Sequence, residues 1–249
     1  GSNFAAHWGS VGFFGPLTVH PALWDRGVGK RLVEPVMECF ARWNTVHAGL
    51  FTFADSQKHL ALYQKFGFWP RFLTAIMSKT VGPASPAVQW TRFSDVPGGE
   101  RQAILEACRQ ITDEIYDGLD VSAEIETVAA QKLGETLLLW GDAGLAGFAV
   151  CHCGPGTEAG RGTCYIKFGA ARPGPAPERD FHRLLTACEE LAAASGLSHL
   201  VAGVNAARHE AYRVMLARGF RTDRQGVAMH RPNDPGYSRA GVYAIDDWR

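Results

Sequence analysis

Long apolar runs are missing. No stretch of the 249-residue chain approaches the roughly 18 residues that a membrane-crossing helix needs, and no signal-peptide pattern is seen. An excess of charge is missing too. The 25 Lys plus Arg balance 25 Asp plus Glu, and no Lys/Arg-rich run occurs, so nothing is set up to neutralise a phosphate backbone and nucleic acid is not an expected partner. The six cysteines, at 39, 108, 151, 153, 164 and 188, sit in apolar surroundings. Cys151-His152-Cys153 has no second Cys/His pair to complete the four ligands of a zinc site, so buried strand cysteines are expected, with neither metal nor disulfides. The Gly-Lys-Ser/Thr ending of nucleotide-phosphate loops is also absent. What is present is the composition of a folded protein, 46% hydrophobic and 20% charged, expected in the cytoplasm and long enough for one large or two ordinary domains.

The most informative stretch runs from Leu17-Thr18-Val19-His20-Pro21 into Asp25-Arg26-Gly27-Val28-Gly29-Lys30-Arg31-Leu32. It reads as a strand ending at a proline, a tight Gly-x-Gly turn, then a helix. Leu32, Val33, Val36, Met37 and Phe40 give that helix one apolar face. Free backbone N–H groups at such a helix start bind phosphate. Trp24 to Lys30 contain no proline, which leaves every N–H available; Gly27 and Gly29 permit close approach, and Arg26, Lys30 and Arg31 add charge. Pro35 deletes the hydrogen bond to the Arg31 carbonyl and is expected to kink the helix.

Val81 to Pro86 reads as a linker, and the same succession of elements lies on either side. In the first half a helix near 27–43 leads to a strand near 47–54 and a helix near 58–66, closed by Gly67-Phe68. In the second, a helix near 178–194 leads to a strand near 199–204 and a helix near 208–218, closed by Gly219-Phe220. Gly29 to Gly67 is 38 positions and Arg179 to Gly219 is 40, which implies an internal duplication. Ahead of the shared part, the second half adds a strand near 88–93, helices near 100–110 and 123–132, a hairpin of 136–140 with 145–153, and a strand near 163–170. The expected division is 1–82, a linker at 83–87, and 88–249, with the first unit lacking roughly sixty residues at its front by comparison with the second.

These residues resemble the GNAT superfamily of acyl-CoA-dependent N-acetyltransferases. The resemblance rests on Val19-His20-Pro21, Gly27-Val28-Gly29 and Leu62-Tyr63-Gln64-Lys65-Phe66-Gly67-Phe68. Two departures stand out: Trp24 where Gln or Arg is usual, and Ser56 where Asn is common. The resemblance implies an α/β (α+β) fold of two GNAT-type domains, each a mixed, mostly antiparallel sheet flanked by helices. It implies acetyl-CoA as co-substrate and no metal. Leu17, Thr18 and Val19 would run beside the pantetheine arm, Trp24, Asp25, Arg26, Gly27, Val28, Gly29, Lys30 and Arg31 would hold the pyrophosphate, and Ser56 would lie nearby. Tyr63 would be the general acid that protonates the departing thiolate, a phenol near pKa 10 facing a thiolate of comparable basicity.

The second half departs where it counts. Prolines at 173, 175 and 177 remove alternate donors from its turn, and counting back from Gly219-Phe220 puts Met215 at the Tyr63 position. Tyr212 lies one helical turn upstream, with Asn205 seven residues before it. A non-catalytic second domain is expected. Asp55, His7 and His20 are the available candidates for a general base. The leading reading is transfer of an acetyl group to a primary amine of a small molecule by direct attack, with a homodimer compatible. The alternative is a non-catalytic acyl-CoA-binding or protein-interaction module.

Overall fold

The computed structural model describes residues 1–82 and 88–249; the linker expected at 83–87 lies outside them. Short apolar and β-branched runs form the strands β1 (Ala5–Trp8), β2 (Val11–Phe14), β3 (His47–Thr52), β4 (Trp69–Thr80), β5 (Trp90–Arg92), β6 (Gly134–Gly141), β7 (Gly144–Cys153), β8 (Thr163–Ala171), β9 (His199–Asn205), β10 (Arg221–Arg231) and β11 (Ala244–Ile245). Amphipathic stretches form the helices α1 (Val28–Arg42), α2 (Gln57–Gln64), α3 (Arg101–Ile115), α4 (Ser122–Gln131), α5 (Pro177–Ala194) and α6 (His209–Ala217). None is long and apolar enough to cross a membrane among the described residues.

All the strands join one open, mostly antiparallel sheet in the order β1-β2-β3-β10-β4-β9-β8-β7-β6-β5, with β11 paired to β8. Among the described residues only β2 with β3 and β8 with β9 run parallel. Those two pairs correspond closely. Val11 faces His47 and Thr163 faces His199, and each residue of the first pair is 152 positions from its counterpart in the second. β4 and β10 begin at Trp69 and Arg221, the same 152 apart. β10, the last long strand of the second half, lies between β3 and β4 of the first, and β4 lies between β10 and β9. Each half thus contributes a long strand beside the other's parallel pair, which ties both into one sheet.

The core divides by sheet face. Phe14, Leu50 and Met229 pack with α1 and α2 residues Val33, Val36, Phe40 and Tyr63. Leu137, Cys151, Ile166 and Ala202 pack with α5 and α6. On the opposite face, Val11, Phe13, Phe148 and Phe168 meet α3, α4 and Trp248. Of the cysteines expected to be buried on strands, Cys151 and Cys164 are; Cys108 and Cys188 are buried on helices instead, and Cys39 and Cys153 are half-buried. α1 continues through Pro35 as a single 15-residue helix, the missing bond being absorbed within its span. At Gly49 of β3 a methyl group would sit 2.2 Å from the Trp248 ring. Gly49→Ala should therefore cost about 1–3 kcal/mol in urea or thermal unfolding, as overpacking of a filled core.

Candidate active site

β2 and β3 stay paired from Val11–His47 to Phe14–Leu50 and then part. The strand expected over Leu17–Pro21 does not form, and β2 ends at Phe14. Gly15 follows at φ 146°, then Pro16, which has no N–H with which to continue the ladder. Thr18 alone keeps a bridge, exchanging hydrogen bonds of 2.8 and 2.9 Å with Ser2. The Leu17 and Val19 N–H groups donate to no acceptor among the described residues. The parting strands therefore leave the two free backbone donors that an extended guest would use.

Beyond Val19, Pro21–Leu23 makes a 3-10 turn. The Trp24 N–H donates to the Pro21 carbonyl at 3.1 Å, so this donor, expected to be free, is already used. The exposed Trp24 indole instead ties the turn to the strand, its Nε1–H donating to the Val19 carbonyl at 2.9 Å. Gly27 caps α1 at φ 73°, in the left-handed region that glycine enters at least cost, with no atom within 4 Å of where a Cβ would be. The first bond into the helix is Arg31 N–H to the Gly27 carbonyl. Asp25, Arg26, Gly27, Val28, Gly29 and Lys30 consequently present N–H groups with no protein acceptor among the described residues. That row suits a pyrophosphate.

Three parts of the chain converge here. A Cβ on Gly29 would lie 3.3 Å from Leu62 of α2 and 4.0 Å from Leu17. Lys58 of α2 reaches both carboxylate oxygens of Asp25, at 3.1 and 3.2 Å. Lys30 pairs with Glu34 one helical turn on, while Arg26 and Arg31 are exposed and make no ion pair among the described residues. The Ser56 hydroxyl bonds His59 Nδ1 at 2.8 Å and does not cap α2.

Tyr63 is buried in α2, edge-on to Phe14 at 5.5 Å and stacked on His59 at 6.2 Å. Its hydroxyl makes no hydrogen bond among the described residues. Burial pushes the phenol up to about 12, away from the near-match with a thiolate that an ordinary tyrosine would offer. It stays protonated through the neutral range. The pH–rate profile should accordingly show no falling limb from this group below about pH 11.

Among the base candidates, His7 stacks on Trp43 at 4.8 Å, just past the far end of α1 and ~22 Å from the turn. It is not part of the site. His20 borders the turn, its Nδ1 accepting from the Ala22 N–H at 3.3 Å. Asp55 is exposed in the connection to α2.

The second half is built differently at every matching place. Under the 152-residue correspondence the counterpart of Gly29 is Phe181, fully buried, not the neighbourhood of Arg179 that the spacing implied. α5 starts early, at Pro177, with Glu178 and Asp180 in its first turn, which disfavours an anion. Met215 stands at the Tyr63 place and Tyr212 matches Leu60, because no insertion intervenes. Asn205 ends β9 and bonds the Ala207 N–H at 2.9 Å.

A parting parallel pair, a row of free helix-start donors and a buried phenol on α2 together offer a slot whose donors suit an extended, phosphate-bearing guest. Residues 3–68, which hold the whole arrangement, match the acetyltransferase (GNAT) family. No curated protein matches the chain. Among solved structures it is similar to a putative acetyltransferase from Pyrococcus horikoshii, at 14% identity and TM-score 0.68, over 99% of this chain and 74% of that one. It is also similar to a GCN5-related N-acetyltransferase from Sphaerobacter thermophilus, at 19% identity and TM-score 0.58, over 92% and 75%. A tandem GNAT protein from the clavulanic acid biosynthesis pathway matches at 16% identity and TM-score 0.53, over 89% and 75%. The chain has the fold of these acetyltransferases, and its segment 3–68 matches the acetyltransferase (GNAT) family in sequence.

Proposed function

We propose that the chain transfers an acetyl group from acetyl-CoA to a primary amine of a small molecule, using one cleft, that of the first half. The observation that carries this reading is the unbroken row of free N–H groups from Asp25 to Lys30, beside the free donors of Leu17 and Val19. The row takes the pyrophosphate, and Leu17 and Val19 hold the pantetheine arm as a neighbouring strand would.

The amine nitrogen attacks the thioester carbonyl carbon, the C–S bond breaks, and one proton must pass from nitrogen to sulfur. Tyr63 serves the sulfur end. A phenol pushed up to about 12 is a weaker acid than the thiol it would form, so giving its proton fully to a free thiolate is uphill. Its role is a hydrogen bond that strengthens as charge builds on sulfur. Any phenolate formed is basic enough to be reprotonated at once, through water, by the base that took the amine proton. His20 or Asp55 takes the amine proton, directly or through water. No cysteine lies in the turn or in α2, which favours direct attack over an acyl-cysteine.

The reading is tested by following thiol release from acetyl-CoA with a panel of primary amines. Release matched by N-acetylated product is expected. Donor binding with no release for any amine would favour the non-catalytic module.

A further inference from the structure

We propose that the second half's cleft is occupied from within the chain: the segment Tyr243–Arg249 lies where a pantetheine arm would lie, so the cleft is a strand-accepting slot already filled. β8 and β9 part after Ile166 and Ala202, as β2 and β3 part after Phe14 and Leu50. The residues matching Leu17 and Val19 are Gly169 and Ala171, 152 positions on in each case. They are not free. Ala171 donates its N–H to the Tyr243 carbonyl at 3.0 Å, and β11 continues the ladder antiparallel, with Ala244 opposite Ala170 and Ile245 opposite Gly169. The period of two along a strand points the Gly169 N–H the same way as that of Ala171. The chain has completed by strand addition the edge that the first half leaves open.

Side chains latch the segment at positions where the halves differ. Arg208 takes the N-cap position of α6 that Ser56 takes before α2, and neither side chain bonds its helix start. Its guanidinium, fully buried, donates to both carboxylate oxygens of Asp246 at 2.6 and 3.2 Å and to the Ala244 and Asp246 carbonyls at 3.1 Å. Glu178, in the helix turn that would face the phosphates, accepts from the Tyr243 hydroxyl at 2.9 Å. Gly203, matching Phe51, clears space that Asp247 fills, a Cβ there lying 2.2 Å from that of Asp247, whose carboxylate accepts from Tyr165 at 2.9 Å. The departures that disqualify this half as a donor site are thus, in part, the residues that hold the segment.

Residue-resolved hydrogen exchange on the intact, unliganded chain tests this. The Gly169 and Ala171 amides should exchange at least about 10³-fold more slowly than those of Leu17 and Val19. Arg208→Ser, restoring the first half's residue type, should speed exchange at Ala171 by 10²-fold or more while the amides of β6 and β7 stay slow. Adding acetyl-CoA should slow Leu17 and Val19 and leave Gly169 and Ala171 unchanged. Exchange at Gly169 and Ala171 as fast as at Leu17 and Val19 would overturn the proposal even if the variant fails to fold, as would acetyl-CoA loosening Ala171. Although the comparison rests on the first cleft being the donor site, failure of that reading shows separately, as no response at Leu17 and Val19 with Gly169 and Ala171 still protected.

Discussion

Tyr63→Phe should lower kcat by about 10²-fold with the affinity for acetyl-CoA nearly unchanged. The ring packs edge-on against Phe14 and stacks on His59, and phenylalanine keeps both contacts, so stability should hold. Only the hydroxyl is lost, and with it the donor that meets the leaving sulfur. The magnitude is that of removing one hydrogen bond made chiefly in the transition state. Comparing kcat with KM separates this role from a packing role. Loss of a transition-state donor moves kcat alone, whereas a disturbed cleft raises KM as well. Full activity in the variant across the pH range would leave water or the substrate itself as the proton source.

Gly29→Glu should weaken acetyl-CoA binding by about 10³-fold. The backbone at Gly29 is ordinary helix, and a Cβ there meets only side-chain methyl groups, of Leu62 at 3.3 Å and Leu17 at 4.0 Å, so the fold can accept the change. A carboxylate at a helix start is itself compatible with the helix. Its effect falls on the guest: two like charges about 4 Å apart near a protein surface repel by about 4 kcal/mol, enough for the stated loss. Gly29→Ala, adding bulk without charge, should cost far less. Equal losses in the two variants would mean that space rather than charge governs this turn. Denaturation midpoints measured alongside should stay within about 1 kcal/mol of the parent for both.

Local signals carried most of the elements. The apolar stripe of α1, the Gly67-Phe68 and Gly219-Phe220 endings and the hairpin around Gly141 to Gly144 all lie where residues only a few positions apart decide the structure. The free donors of the turn were legible for the same reason, since a helix start makes its own donors, and Tyr63 falls on α2 as its spacing from Gly67-Phe68 implies. β4 and β10 escaped notice. Their identity depends on each lying beside the other half's parallel pair, a pairing across some 150 residues that no local pattern encodes. The strand read over Leu17–Pro21 does not form after Gly15-Pro16, where the missing N–H of proline outweighed the β-branched run after it. Spacing from Gly219 pointed toward Arg179 as the match for Gly29, because the early start of α5 shifts the helix boundary without shifting the register. Nor could Arg208 be read as a latch, since its partner Asp246 lies 38 residues further along.

The central claim is that a single cleft, in the first half, takes the donor. Calorimetric titration of the intact chain with acetyl-CoA tests it most directly. One site per chain is predicted, abolished by Gly29→Glu and indifferent to Met215→Ala. Two equivalent sites, or one site that survives Gly29→Glu unchanged, would contradict it.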